Sequence, residues 1–451
     1  MRTRLAALVG RVALLVLRAL GTSGTTVPGR VALAVDPQFI ADQSANIVGP
    51  KVVVSATNGK TTTAGLLRAA LATEWNVVGN QAGANMAGGV ASSLVNLGSG
   101  ANSAGLFEVD EFWLGEVATA VQPSVVVLGN LFRDQLDRYG ELDTILDRWH
   151  SAVCELVSNG TSFVACADDP GIVWVLRDVP AERIAWFGCE DRSAVLSSLP
   201  HAADSGVCRS CGSELTYAAV FLGHLGEWKC EQCGLARPEP QVRLVAFNPT
   251  GAKGSRVGIE FDGGVIELAL SLPGLYNAYN ATGAWAASQM VGCEAAATRE
   301  AFEGTAASFG RGELFRVNSA DVHMLLIKNP TGANEVVRSL CDEGGLLRVQ
   351  FVLNDQIADG RDVSWIWDTD LEELVPHIEE LVCSGTRAEE AALRFRYAGV
   401  EPERIKVIND SWAALNEATE GVSEVWVLPT YTAMTGLRGV LAEHGLAEKV
   451  V

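Results

Sequence analysis

The sequence predicts an α/β protein with two sheet-containing domains and a small cysteine-bearing insert. Strand-length apolar runs alternate with helical stretches in the first half, and the alternation restarts after residue 311. Four cysteines, in two C-x₂-C pairs, interrupt this alternation of strands and helices. A chain of 451 residues has room for two or three domains. We expect a first α/β domain over 1–315 with an insert at about 201–240, and a Rossmann-like C-terminal domain over 316–451.

The composition is that of a folded acidic protein. Hydrophobic residues make up 48% of the chain, and its formal net charge is −20. A field of that sign repels a phosphate backbone, so we expect no binding to nucleic acid through a general basic face. Ten cysteines are too few for a disulfide scaffold in a chain of this length, which favours a reducing, cytoplasmic location.

The first 20 residues predict an amphipathic helix. Arg11 and Arg18 interrupt the apolar run from Leu5 to Leu20, so it is too short to span a bilayer and is a poor secretory signal. Arg4 precedes these two at a spacing of seven residues, which places the three on one stripe of a helix. Two interpretations stay open: the helix packs on its own domain, or it lies on the inner face of a membrane as a peripheral contact.

A phosphate-binding loop is predicted at residues 55–62, which read Ser-Ala-Thr-Asn-Gly-Lys-Thr-Thr between an apolar strand and a helix. Backbone amides near Asn58 and Gly59 would face phosphate oxygens, the Lys60 ammonium the outer phosphates, and the Thr61 hydroxyl Mg²⁺. Val54 stands where the general P-loop pattern has glycine. The strand, loop and helix context still favours ATP binding, so we expect residues 1–315 to form a P-loop-type ATPase domain.

Further elements follow in order along the chain. Residues 257–272 predict a β-hairpin that turns at Asp262-Gly263-Gly264, and residues 277–291 predict a helix. The remaining strand-like runs lie at 104–109, 124–128 and 162–165 in the first half, and at 322–327, 349–353, 405–408 and 425–428 in the second.

The cysteine insert predicts a structural metal site. Cys208 and Cys211 form one C-x₂-C pair, and Cys230 and Cys233 form a second after 18 intervening residues. This spacing is typical of a four-thiolate zinc site, in which all four tetrahedral positions are filled and none is left for a catalytic water. The spacing does not separate zinc from iron. The other six cysteines are expected to be core thiols.

Residues 55–62 resemble the phosphate loop of the Mur ligases, the ATP-dependent enzymes of bacterial cell-wall synthesis. Other segments resemble that family in the same order: Phe-Glu-Val-Asp-Glu at 107–111, Asp-Asp-Pro at 168–170, Leu-Tyr-Asn-Ala-Tyr-Asn at 275–280 and Gly-Arg-Gly-Glu at 310–313. The resemblance implies that Glu108 holds Mg²⁺ together with Thr61. It also implies that the ATP site contains Asn58, Gly59, Lys60, Thr61, Thr62, Asn280 and Arg311.

Two departures from the Mur ligase pattern narrow the resemblance. Gln135 stands where the family has a metal-binding histidine. About 50 residues precede the phosphate loop, where the precursor-building enzymes carry a uridine-nucleotide-binding domain. We therefore expect no UDP-linked substrate to bind in that manner.

A closer resemblance is to the MurT family, the ligase subunits of lipid II isoglutaminyl synthases. It includes Lys-Asn-Pro-Thr-Gly-Ala-Asn at 328–334, Ala-Asp-Gly-Arg-Asp at 358–362 and the cysteine insert. The resemblance implies ATP-dependent amidation of the D-glutamate α-carboxylate of the lipid II stem peptide through an acyl phosphate. It also implies a GatD-like glutaminase partner that supplies ammonia, and a catalytic role for Asp359, which completes the partner's Cys-His pair. Asp355 and Asp362 are the alternatives.

The sequence leaves two other functions open. A stand-alone amino-acid ligase similar to folylpolyglutamate synthetase would act without a partner. A zinc-containing scaffold would bind ATP without turning it over. The sequence contains no G-x-C-x-G elbow of the kind that carries a glutaminase nucleophile, so we do not expect the chain to hydrolyse glutamine by itself.

Overall fold

The computed structural model describes residues 1–20, 24–80, 83–97, 102–134, 142–200, 204–251, 254–305 and 311–447, with backbone alone at 311 and 312. Its strands form a nine-stranded sheet, a six-stranded sheet and a two-stranded hairpin. The predicted α/β class is confirmed.

The larger sheet has the strand order β11-β10-β9-β6-β5-β4-β1-β3-β2, and neighbours from β9 to β2 run parallel. The hairpin β10–β11 extends it antiparallel, with the predicted turn at Asp262 and Gly263. The strands are β1 (Lys51–Ser55), β2 (Asn76–Val78), β3 (Ser103–Glu108), β4 (Val125–Leu128), β5 (Ser162–Cys166), β6 (Ile184–Cys189), β9 (Val242–Pro249), β10 (Ser255–Phe261) and β11 (Gly264–Leu270).

Helices cover both faces of this sheet, and this explains why its central strands are apolar along their whole length. Val53 on β1 packs into the core on one face, while its neighbours Val52 and Val54 pack into the core on the other. The helices of this half are α1 (Arg2–Ala19), α2 (Val27–Val35), α3 (Phe39–Ser44), α4 (Lys60–Leu71), α5 (Ala87–Leu94), α6 (Leu114–Val121), α7 (Leu142–Ser158), α8 (Pro170–Val175), α9 (Leu275–Met290) and α10 (Ala295–Glu303).

The insert forms a two-stranded antiparallel hairpin, β7 (Thr216–Leu222) and β8 (Leu225–Lys229). Its turn reaches the larger sheet, since the Gly226 amide donates to the Asp168 carbonyl at 3.0 Å. The side chains of Leu222 and Leu225 are buried in the core beside Phe132.

The smaller sheet has the order β12-β13-β17-β14-β15-β16, and all neighbours except β12 and β13 run parallel. Its first strand begins at Arg311, so the boundary expected at 315 falls inside a strand. Its elements are β12 (Arg311–Val317), β13 (Ala320–Leu325), α11 (Pro330–Glu343), β14 (Leu347–Val352), β15 (Ile378–Ser384), α12 (Ala388–Ala398), β16 (Ile405–Val407), α13 (Ser411–Ala418), β17 (Glu424–Pro429) and α14 (Tyr431–Glu443).

The predicted N-terminal helix is present as α1, which packs mainly on α2. Among the described residues, no helix is both long enough and apolar enough to cross a membrane.

Candidate active site

The phosphate loop turns sharply between β1 and α4 at Gly59. This residue has φ +86°, and a Cβ added there would lie 1.9 Å from the Asn280 side-chain oxygen. Only glycine accommodates both the left-handed backbone and this close approach. The predicted ATP-site residues Gly59 and Asn280 are therefore in direct contact, although 221 residues of sequence separate them.

Lys60 is the first residue of α4 and is buried. Its ammonium lies 2.8 Å from Glu111 Oε2 and donates to the Ala56 carbonyl at 2.5 Å. Burial alone would lower the pKa of Lys60, but Glu111, Asp110 and Glu108 outweigh it and hold the pKa above its ordinary value. The lysine is therefore charged beneath the loop, as phosphate binding requires.

Thr61 and Glu108 converge beside this lysine. The Thr61 hydroxyl donates to Glu108 Oε1 at 3.1 Å, and Asn85 Nδ2 lies 3.5 Å from the same oxygen. Asn80 fixes the end of β3 by bonding the backbone N–H and C=O of Glu108. Hydroxyl, carboxylate and amide oxygens are the donors that Mg²⁺ prefers, so the set fits that ion.

A second lysine faces the site from the smaller sheet. Lys328 Nζ lies 2.5 Å from Asp134 Oδ2. Burial raises the pKa of Asp134, and Lys328 only partly opposes that shift. Burial likewise disfavours the Glu111 carboxylate, but Lys60 and Lys328 hold the pKa of Glu111 below its ordinary value. Two lysines and two buried carboxylates thus share the junction between the two sheets.

The phosphate loop also touches the smaller sheet directly. The side-chain amides of Asn58 and Asn329 pair reciprocally, at 3.3 and 3.0 Å. A cleft runs along this junction, and Thr62 is among the residues that line it. The others include Thr57, Asn58, Gly59, Asn130, Phe132, Leu222, Leu225, Tyr276, Tyr279, Asn280, Leu325, Lys328, Thr331, Gly332 and Glu335.

The Asp168-Asp169-Pro170 turn supports the back of the cleft. Asp168 is buried and accepts from Arg237 Nε at 2.7 Å and from the Tyr279 hydroxyl at 2.5 Å. Asp169 caps α8 and also accepts from the Leu131 amide at 2.8 Å. These two carboxylates therefore join the insert, α9 and the segment after β4.

The four predicted metal ligands come together in the insert. The sulfurs of Cys208, Cys211, Cys230 and Cys233 all lie within 4.8 Å of one another. Each pair sits in a tight turn whose glycine has positive φ, +77° at Gly212 and +79° at Gly234. The Gly212 and Gly234 amides donate to the carbonyls of Cys208 and Cys230, at 2.7 and 3.0 Å. This arrangement of soft donors fits a single tetrahedral metal ion.

Residues 54–211 match the Mur ligase middle domain, and residues 326–434 match the MurT ligase C-terminal domain. The chain is 33% identical to the MurT subunit of lipid II isoglutaminyl synthase from Streptococcus pneumoniae, over 100% of this chain and 99% of that protein. The chain belongs to the MurT family. Two solved structures share its fold: a pseudomurein peptide ligase from Methanothermus fervidus and the MurF ligase of Thermotoga maritima bound to ADP.

The pseudomurein ligase aligns with a TM-score of 0.67 at 19% identity, covering 88% of this chain and 79% of that one. MurF aligns with a TM-score of 0.62 at 14% identity, covering 92% and 84%. The region that matches the MurT C-terminal domain contains Asp359. It also contains Lys328 and Asn329, the two residues that face the phosphate loop from the smaller sheet.

Asp359, the predicted catalytic residue in this MurT-family chain, lies in the loop that follows β14, and its side chain contacts the first turn of α14. Its carboxylate accepts from the Thr432 amide at 2.7 Å, from the Thr432 hydroxyl, and from the Gln356 amide at 3.2 Å. Burial raises its pKa, and these donors oppose that shift. Asp355 instead pairs with Arg387 at 2.9 Å, and Asp362 caps the Ser364 amide.

Some predicted residues cannot be placed, and others were missed. Gln135 lies outside the described residues, and so does the side chain of Arg311. Glu111 and Lys328 were not among the site residues predicted from the sequence. A signal for each was present, because Glu111 ends the 107–111 segment and Lys328 begins the 328–334 segment, both already recognised as motifs.

Proposed function

We propose that this chain is the ligase subunit of a lipid II isoglutaminyl synthase. It would amidate the D-glutamate α-carboxylate of the lipid II stem peptide, in the synthesis of peptidoglycan. The observation that carries the proposal is the full-length match to a MurT subunit, combined with a phosphate loop that faces Lys328 and Asn329 across the junction.

ATP would bind in the cleft, with its phosphates on the loop from Asn58 to Thr62 and its base toward Asn280. The ADP bound by MurF of Thermotoga maritima supports this choice of nucleotide. Thr61 and Glu108 would hold Mg²⁺, which neutralises phosphate charge when bound. Lys60 places a fixed positive charge under the outer phosphates, where charge moves as the phosphoryl group transfers.

The reaction would proceed in two steps. An oxygen of the substrate carboxylate attacks the γ-phosphorus, the bond to the β-phosphate oxygen breaks, and ADP leaves. Ammonia then attacks the acyl carbon, phosphate leaves with the bonding electrons, and the surplus proton passes to phosphate or water. Closure of the cleft between the two sheets would keep water from the acyl phosphate, which hydrolysis would otherwise destroy.

The four-cysteine cluster would hold zinc in a structural role. Four thiolates fill the tetrahedron, so no position remains for substrate. The insert carries Leu222 and Leu225 into the wall of the cleft. The metal would therefore hold the hairpin in the shape that places these two leucines in the wall of the ATP site.

A GatD-like glutaminase would supply ammonia, and Asp359 would orient the histidine of its Cys-His pair. Among the described residues, no ion pair joins Asp359, whereas Asp355 pairs with a cation. Asp359 Oδ2 already accepts from the Gln356 amide and the Thr432 hydroxyl, whereas Oδ1 accepts from the Thr432 amide and has room for one further hydrogen bond. Ile357, two residues away, is 70% exposed and would contact the partner.

The test is amidation of lipid II by the purified complex, with ATP and glutamine, followed by mass spectrometry of the stem peptide. We expect amidated product from the wild-type complex and none from Lys60→Ala. Lys406→Ala is the matched control, because Lys406 pairs with Glu417 on the surface of the smaller sheet. Addition of an amino acid without any partner would contradict the proposal in favour of a stand-alone ligase. ATP binding without turnover would favour a scaffold.

A further inference from the structure

Helix α1 packs on the protein through its smallest residues. Ala6, Ala7 and Gly10 are its buried residues. A Cβ on Gly10 would lie 2.7 Å from a Val95 methyl carbon and 3.2 Å from the Pro28 carbonyl. Leu14 packs partly against the core, but the close approach to α2 and to the end of α5 leaves most of the larger aliphatic side chains of α1 exposed.

Those side chains form a continuous exposed apolar face, which we call the α1 face. Its members recur at the spacing of one side of a helix, and each is between 52% and 72% exposed. They are Leu5, Leu8, Val12, Leu15, Val16 and Leu20. This is the reverse of the usual arrangement, in which a surface helix buries its largest apolar residues and exposes its small or polar ones.

Positive charge borders the α1 face in an otherwise acidic protein. Residues 1–35 contain five arginines and no Asp or Glu, whereas the whole chain carries a net charge of −20. Arg4, Arg11 and Arg18 form a stripe along one edge of the face, and Arg11 is steadied by a 2.7 Å bond to the Val95 carbonyl. An apolar face edged by arginines complements an anionic lipid surface.

We propose that the α1 face binds the surface of an anionic phospholipid bilayer, with the helix lying in the membrane plane. The 18-residue helix is about 27 Å long, enough to lay its aliphatic side chains along the headgroup boundary. The arginine stripe contacts lipid phosphates at the same depth. This binding needs neither ATP nor ligase chemistry, so it goes beyond the proposed function.

The position of α1 connects the bilayer to the active site. α1 packs on α2, and α2 packs on α5. Asn85, two residues before α5 begins, reaches Glu108 at 3.5 Å. A series of packed helices therefore leads from the α1 face to the carboxylate of Glu108, which suits a substrate whose lipid remains in the bilayer.

The first experiment is flotation of the full chain with phosphatidylcholine vesicles, with and without phosphatidylglycerol. We expect wild type to float with the anionic vesicles and less with the neutral ones. The variant Leu8→Gln/Leu15→Gln should bind at least roughly tenfold more weakly, because it removes two apolar side chains from the interface. The matched control is Leu314→Gln/Leu346→Gln, which alters two equally exposed leucines on the other half of the protein and should float like wild type.

The charge is tested separately with Arg4→Gln/Arg18→Gln. Two lost arginines should weaken binding to the anionic vesicles roughly tenfold or more, and added salt should weaken wild-type binding. Circular dichroism checks that each variant keeps its helix content. Unchanged flotation of the leucine variant, or equal wild-type flotation with neutral and anionic vesicles, would overturn the proposal. The proposal would also be overturned if the wild-type chain self-associated through the α1 face instead of floating with the vesicles.

An activity assay separates this proposal from the proposed function. The leucine variant should amidate detergent-dispersed lipid II at the wild-type rate and vesicle-embedded lipid II more slowly. Equal loss in both assays would overturn the membrane role. Absence of amidation by wild type in either assay would refute the ligase function while leaving the flotation result intact.

Discussion

The side chains of Asn58 and Asn329 form a reciprocal amide pair across the junction of the two sheets. Asn58 belongs to the phosphate loop, while Asn329 caps α11 by accepting from the Gly332 amide at 2.9 Å. One residue therefore both begins a helix of the smaller sheet and positions the loop of the larger one. Closure of the cleft over a nucleotide would therefore change the geometry of this hydrogen-bonded pair.

The two roles of Asn329 can be separated by substitution. Asn329→Ser keeps a capping hydroxyl but is too short to pair with Asn58, whereas Asn329→Ala loses both contacts. We expect both variants to bind ATP more weakly, and only the alanine variant to lose an additional ~1 kcal/mol of stability. Urea unfolding and the binding of a fluorescent ATP analogue measure the two effects. Equal stability of the two variants would contradict the capping role.

Lys60 and Glu111 form a buried ion pair, which leads to a second prediction. Lys60→Met leaves the Glu111 carboxylate buried without its closest partner and should cost about 3–5 kcal/mol of stability. The double variant Lys60→Met/Glu111→Gln should recover most of that stability and still fail to bind ATP. Thermal unfolding and nucleotide binding distinguish these outcomes. ATP binding by the double variant would show that the lysine is structural only.

The strand, loop and helix around residues 55–62 could be predicted because their pattern lies in one contiguous segment. The four-cysteine cluster was predictable for the same reason, since the pairs are short local motifs. Contacts such as Lys328 with Asp134, 194 residues apart, carry no comparable local signal. They depend on how the smaller sheet docks on the larger one, which no local pattern specifies.

Several strands were not predicted from the sequence, and for two of them, β6 and β15, the physical reason is identifiable. In β15 two glutamates directly follow the first residue, Ile378, and one of them, Glu380, is neutralised by Arg348 at 2.9 Å and Lys406 at 3.1 Å from neighbouring strands. β6 contains Gly188, which is unfavourable in a strand by propensity. A Cβ at that position would lie 2.3 Å from the Asp168 carboxylate, so the site requires the glycine.

The lowered pKa of Glu111 predicts how stability depends on pH. Its folded-state pKa lies below the ordinary 4.5, so the unfolded chain binds the proton more tightly than the folded protein. The stabilisation is present above about pH 4.5 and is lost as the pH falls through the folded-state pKa. Wild type should therefore lose stability more steeply than Glu111→Gln below that pH, with the two curves converging in acid. Urea unfolding at a series of pH values measures this dependence. An unfolding free energy that changes with pH equally in both proteins would contradict the assignment.

Removal of the metal should affect the nucleotide cleft. A structural zinc site couples ~10–16 kcal/mol of binding to local folding, so the insert should lose its order without metal. The ring of His224 lies 4.6 Å from that of Phe132, and Leu222 and Leu225 line the cleft beside it. We expect Cys211→Ser to lose metal and to bind ATP more weakly, measured by elemental analysis and nucleotide titration. Cys341→Ser, outside the insert and outside the potential metal-ligand clusters of the described residues, is the control and should change neither.

Asp359→Asn tests the role of this residue toward the partner. The amide keeps the size of the carboxylate and can still accept from the Thr432 amide, so the start of α14 should remain folded. Loss of the charge that orients and stabilises a partner histidine should lower glutamine hydrolysis by a factor on the order of 10³ to 10⁴.

The discriminating measurement replaces glutamine with ammonium salt in the same complex. If Asp359 acts only on the glutaminase, ammonia-dependent amidation by Asp359→Asn should match wild type, while glutamine-dependent amidation falls. Asp362→Asn is the control, because Asp362 bonds the Ser364 amide on the same loop and should leave both rates unchanged. Loss of both activities in Asp359→Asn would mean that the carboxylate supports the fold around Thr432 and not the partner's chemistry.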